Sequence, residues 1–103
     1  MNNSEYLIKL KLNPNVIVEK IDDETMMYNK DTDSIIVLNI TGSYIYDCIV
    51  EGINNGESVN INYLVDKLKG KFLLNEREIS ECSKDISKIL NGLTKEQVFY
   101  EYR

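Results

Sequence analysis

The chain contains no histidine, a single proline and two cysteines, and each shortage closes off a class of chemistry. Without imidazole there is no histidine general base, no Ser-His-Asp or Cys-His nucleophile and none of the usual histidine-bearing zinc sites. Cys48 and Cys82 stand far apart within apolar patterns of helical spacing, and no CxxC pair exists, so both read as buried free thiols behaving as small hydrophobes. The glycines, at 42, 52, 56, 70 and 92, form neither GxGxxG nor a phosphate loop with its lysine. No nucleotide or other cofactor is expected. No apolar run approaches membrane-spanning length, and Met1–Glu5 lacks the basic start and long apolar stretch of a secretory signal, which points to the cytosol and away from a membrane partner.

Positive charge is also scarce. With 12 basic against 17 acidic side chains, the net charge of −5 repels phosphate backbones at long range, so nucleic acid is a poor partner. The acidic groups Asp22-Asp23-Glu24 and Asp31/Asp33 fall in expected turns and read as solvated. Asn29 to Asp33 lacks the central glycine and closing glutamate of a calcium loop, so no metal is expected.

What remains is an ordinary domain: 103 residues, 43% apolar and 28% charged, enough to bury a core without disulfide or metal staples. Residues 1–103 are read as one domain with a core over about 13–93, an arm over 1–12 and a tail over 94–103. Tyr6 to Leu12 alternates, as a fourth strand or an arm would. Three β-branched or turn-bounded stretches follow, Val16 to Ile21, Thr25 to Tyr28 and Ser34 to Leu38, and together they predict an antiparallel meander.

From Asn39 the period changes to helical. Asn39 or Thr41 can cap a first helix with Ile45, Cys48 and Ile49 inward and Gly52 near its end. Asn60 can cap a second, with Ile61, Leu64, Leu68 and Phe72 along one face and Lys67, Lys69 and Lys71 toward water. Asn75-Glu76-Arg77-Glu78 resembles a capping box and opens a third, with Ile79, Cys82, Ile86, Ile89, Leu90 and Leu93 on one stripe and Gly92 expected to end it. Tyr44, Tyr46 and Tyr63 read as core tyrosines with their hydroxyls at the rim. The aromatic, alternating stretch from Val98 to Tyr102 adds a short strand or covers apolar surface. The fold class is α+β, a three-stranded antiparallel sheet followed by three helices in a winged helix-turn-helix-like order.

That order, with the strand ending in Leu38-Asn39, the Thr41-Gly42-Ser43-x-Ile45 helix start, Gly52 before a polar loop, Asn60-Ile61-x-x-Leu64-x-x-x-Leu68-x-x-x-Phe72 and Asp85-Ile86-x-x-Ile89-Leu90-x-x-Leu93, resembles the PqqD family of RiPP recognition elements. Asn60 departs from the threonine frequent at that helix start, and the first-helix aromatic falls at Tyr46. The resemblance, over about Asn13 to Leu93, implies a non-catalytic peptide chaperone. Its ligand is the leader of a ribosomally made precursor, docked as an added strand on the third strand's edge beside the third helix. Carried over by position, the docking residues are Ser34, Ile35, Ile36, Val37 and Leu38, with Cys82, Asp85, Ile86, Lys88 and Ile89 on the facing helix. Lys84 and Lys88, one turn apart, are placed to pair with acidic leader residues. The implied partner is a separate modifying enzyme, either a radical SAM enzyme or the leader peptidase and cyclase of lasso peptide assembly.

Strand-edge chemistry supports such use independently, because a free edge offers unpaired amides and carbonyls that an extended peptide can satisfy. Two rival readings stay open at this point. A winged-helix regulator would read DNA with the third helix, whose Glu76, Glu78, Glu81 and Asp85 outnumber Arg77, Lys84 and Lys88. A self-associating protein would pair its own edge with a second copy, as a homodimer.

Overall fold

A computed structural model describes residues 9–102, and side chains over 10–100. Eight elements follow in order: β1 (Lys9–Leu12), β2 (Val16–Ile21), β3 (Glu24–Asn29), β4 (Ser34–Leu38), α1 (Ile40–Asn54), α2 (Ile61–Lys71), α3 (Glu76–Lys95) and β5 (Phe99–Tyr102). The meander forms as expected, an antiparallel sheet in the order β2-β3-β4. Its registers, Met27 opposite Val18 on one side and Ile36 on the other, put Thr25, Met27 and Asn29 on one buried face. β1 does not join this sheet; it pairs with β5, Leu12 opposite Phe99 and Lys9 opposite Tyr102, in a separate two-stranded sheet. Tyr6 and Ile8, at the start of the alternating arm, lie outside the described residues.

Each helix begins where its asparagine cap requires. Asn39 Oδ1 accepts from the Gly42 amide at 2.9 Å, and Asn60 Oδ1 accepts from the Tyr63 amide at 2.9 Å. Asn75 completes a full capping box: its Oδ1 accepts from the Glu78 amide at 2.8 Å while its own amide donates to Glu78 Oε1 at 3.0 Å. Such caps satisfy amide groups that the helix cannot pair itself, typically about 1 kcal/mol each. α1 buries Ile45, Cys48 and Ile49, α2 buries Leu64, Val65 and Leu68, and α3 buries Ile86 and Leu93. These residues form one core with Met27, Leu10, Val98 and Phe99. Gly52 is the contact that lets α1 reach the start of α2: a Cβ there would lie 2.6 Å from Val59 Cγ2 and 3.1 Å from the Tyr63 ring.

Two sequence expectations are corrected. Phe72 does not continue the buried face of α2; it caps the helix with extended backbone (φ −120°, ψ 141°), is exposed, and sets its ring edge-on to Tyr44 at 5.9 Å. Gly92 does not end α3, which runs to Lys95. The terminator is Gln97, in the left-handed region at φ 62°. The Gln97 amide returns to the Thr94 carbonyl at 3.0 Å and the Val98 amide to the Leu93 carbonyl at 2.9 Å, the paired closure of a Schellman motif. Buried Leu93 and Val98 supply the apolar contact that accompanies it.

The turn after α3 is fastened from a distance. Asn13 Nδ2 donates to the Gln97 carbonyl at 2.8 Å, and Asn29 Nδ2 donates to the Glu96 carbonyl at 2.7 Å. The Asn13 amide also donates to the Val98 carbonyl at 3.1 Å. Both asparagine side chains are buried, and these bonds supply partners that burial makes obligatory.

Candidate functional site

β4 has β3 on one side and no strand on the other among the described residues. The tail and the arm, both able in principle to occupy that side, are paired with each other instead. Nothing in Ser34-Ile35-Ile36-Val37-Leu38 blunts the edge: it carries neither proline nor charge, the usual devices against strand addition. Side chains alternate. Ile36 and Leu38 are half-buried and pack against the core, while Ile35 and Val37 are 68% and 64% exposed on the opposite face. Ser34 is half-buried at the hairpin end.

The other edge of the same sheet, β2, is also unpaired among the described residues, yet it carries Glu19 and Lys20. Lys20 Nζ is held by Asp47 Oδ1 at 2.6 Å and by Thr25 Oγ1 at 2.9 Å. Charge on an edge discourages a further strand, so chemistry separates the two edges. β4 is the one fitted to accept an extended chain.

The α3 residues singled out in the sequence divide into two groups. Ile86 is fully buried, and Cys82 and Ile89 are half-buried at the margin of the same core that Ile36 and Leu38 border. Lys84, Asp85 and Lys88 are exposed, and none takes part in a salt bridge within the described residues. α3 packs chiefly on α2 and β5, while β4 packs on β3 and α1, so α3 is not the principal neighbour of the β4 edge that the resemblance implied. Burial pushes the Cys82 thiol above its ordinary value, and the carboxylates of Asp85, Glu78 and Glu81 push the same way. Burial likewise raises Cys48. Both sulfurs are held as thiols, which are poor nucleophiles and poor metal ligands. Among the described residues, no group of three cysteine or carboxylate side chains is placed to hold a metal ion, and no helix is long and apolar enough to cross a membrane.

No sequence signal points to the open groove of about 320 Å³ beside the start of α1, walled by Ile40, Tyr44 and Phe72 and flanked by Lys20, Asp47 and Lys71. Nor does the sequence single out the outward face of the sheet. Isoleucines at 17 and 21 suggest burial, yet each is 51% exposed.

No protein-family model matches the sequence, and no curated protein sequence does. Solved structures do match. TbiB1, in complex with the TbiA(beta) leader peptide, superposes with a TM-score of 0.68 over 90% of this chain and 98% of its own, at 20% identity. A lasso peptide synthetase B1 complexed with the leader peptide gives 0.67 over 89% and 98%, at 14% identity. This chain has the fold those two proteins share. The expected architecture, a three-stranded sheet followed by three helices, is therefore established, and the β1–β5 sheet is an addition to it.

Proposed function

We propose that this chain is a non-catalytic cytosolic module that binds the leader of a ribosomally made precursor peptide and presents it to a separate modifying enzyme. The carrying observation is the β4 edge, uncharged, without a strand partner among the described residues, and with Ile36 and Leu38 packed on the core beside it. The two solved proteins of this fold are both in complex with leader peptides, which supports a guest of the same kind. The leader adds as a fourth strand along Ser34–Leu38. Ile36 and Leu38 then floor the side facing the helices, Cys82 and Ile89 border the same core above buried Ile86, and Lys84, Asp85 and Lys88 set charge preference at the rim. The enzyme served belongs to the lasso type or to the radical SAM type. Acidic, exposed Glu76, Glu78, Glu81 and Asp85 on α3 weigh against the alternative of duplex DNA.

Titration calorimetry with the synthetic leader of a precursor peptide encoded near this chain's gene tests this reading. Val37→Pro removes an amide donor and obstructs pairing at the edge, and it should weaken the leader roughly tenfold, the equivalent of about 1.4 kcal/mol. Unchanged affinity in a variant whose melting curve shows it folded places the docking edge elsewhere.

A further inference from the structure

The β2–β3–β4 sheet has a second face, turned away from the helices, and it is apolar. Strand alternation and the registers place Ile17 and Ile21 of β2, Met26 and Tyr28 of β3, and Ile35 and Val37 of β4 together on it. Ile17, Ile21, Tyr28, Ile35 and Val37 are exposed, and Met26 is half-buried. Contiguous apolar surface of this kind on a small folded protein marks a docking site. The charges around it are mainly acidic, with Lys30 of the β3–β4 turn opposite in sign. Glu19 and Glu24 share the face, Asp22 and Asp23 form the turn at one end, and Asp33 stands at the other, accepting the Tyr28 hydroxyl. The nearest cation on β2, Lys20, belongs to the opposite face and is taken by Asp47.

We infer that this face docks the modifying enzyme, through an apolar patch on the enzyme framed by basic side chains. The inference rests on the function proposed above and names the surface by which that partner is engaged. Charge decides the occupant: a second copy would set one acidic frame against another on a chain of net charge −5, whereas a basic frame is complementary. Tyr28, its ring exposed and its hydroxyl bonded at the rim, is the type of residue that anchors such contacts. Position agrees with charge. The face ends at Ile35 and Val37, so a leader added to β4 widens it by one strand, about 4.8 Å, and lies next to whatever is seated there.

The test uses the full chain, the synthetic leader, and the purified modifying enzyme that this chain is proposed to serve. Ile17 and Ile21 lie two strands from the docking edge, so the double variant Ile17→Asp/Ile21→Asp should bind leader within twofold of the unmodified chain while losing at least tenfold in affinity for the enzyme. Glu19→Lys/Glu24→Lys should lose severalfold and flatten the salt dependence of enzyme binding. Melting curves confirm that both variants fold. Enzyme affinity indifferent to both variants overturns the inference, as does an unmodified chain that binds leader but not the enzyme. Sedimentation showing a dimer that Ile17→Asp/Ile21→Asp dissociates also overturns it, by placing a second copy on the face. Failure of the leader to bind is a different result: it removes the function proposed above, while the enzyme titrations still report on this face.

Discussion

Strands β5 and β4 are both short, rich in large side chains and at the margin of a sheet, yet one is locked into the fold and the other is left open. β5 begins at Phe99, which is 1% exposed and stacks on Tyr46 with ring centroids 6.0 Å apart. The turn that delivers it has its carbonyls taken by Asn13 and Asn29. β4 has isoleucine and valine facing water and one whole row of backbone groups without a strand partner among the described residues. The difference teaches a division of labour. Stability is concentrated where the two ends of the chain meet, which leaves the β4 edge free of any structural duty on its outer side.

The largest effect should come from breaking the locked side. Phe99→Ala removes a fully buried ring and should cost about 3–5 kcal/mol of unfolding free energy in a denaturant titration, with leader affinity per folded molecule unchanged. A loss below about 1 kcal/mol would mean that the β1–β5 sheet is an appendage and not part of the core. Next in size is Asn29→Ala. It strands the Glu96 carbonyl and also removes the acceptor of the Asp31 amide at 2.8 Å, so about 1–3 kcal/mol should be lost. If Asn29→Ala instead weakens the leader without lowering stability, the two regions are not separate.

Local signals made most of this fold legible. The β-branched run Ile35-Ile36-Val37 and the three asparagine caps act within a few residues, and the structure places strand and helix starts where they point. The end of α3 was not legible for a physical reason. Glycine is the usual left-handed terminator, but here the positive φ belongs to Gln97, fastened by an asparagine 84 residues away. The alternation of the arm and of the tail was visible, but not their pairing, because nothing local encodes a contact between the two ends of a chain. In the candidate site, spacing marked β4 and the α3 stripe as elements, while their reading as a docking edge and its facing helix came from the family resemblance. The outward sheet face was missed because an isoleucine reads the same whether it fills a core or awaits a partner.

Gln97 offers a smaller test that acts in the opposite direction. A non-glycine residue at φ 62° carries a steric cost of about 1 kcal/mol, partly offset by the greater freedom of glycine in the unfolded chain. Gln97→Gly should therefore raise stability by about 0.5–1 kcal/mol, since the bonds from Asn13 and Asn29 reach its backbone carbonyl and survive the change. Destabilisation would show that the exposed glutamine side chain, and not the turn geometry, supports the lock.

The smallest effect belongs to Asp31, where the locked side touches the open sheet. This residue sits in the turn leading into β4, and its carboxylate accepts from Asn13 Nδ2 and Asn15 Nδ2, each at 2.9 Å, and from the Tyr100 hydroxyl at 3.4 Å. The asparagine bonds, followed by that of Tyr100, hold its pKa below the ordinary 3.8 against a modest opposing push from burial. A pKa depressed by folding gives stability that is present above the unfolded value and lost as pH falls through the lower folded value. The unmodified chain should thus lose more melting temperature between about pH 6 and about pH 3 than Asp31→Asn does. Its other acidic groups set the background slope common to both. Equal slopes would show that the carboxylate is solvated and that the turn before β4 is held by Asn29 alone. A steeper slope in the unmodified chain would mean that the lock extends to the base of the open strand and fixes where that strand begins.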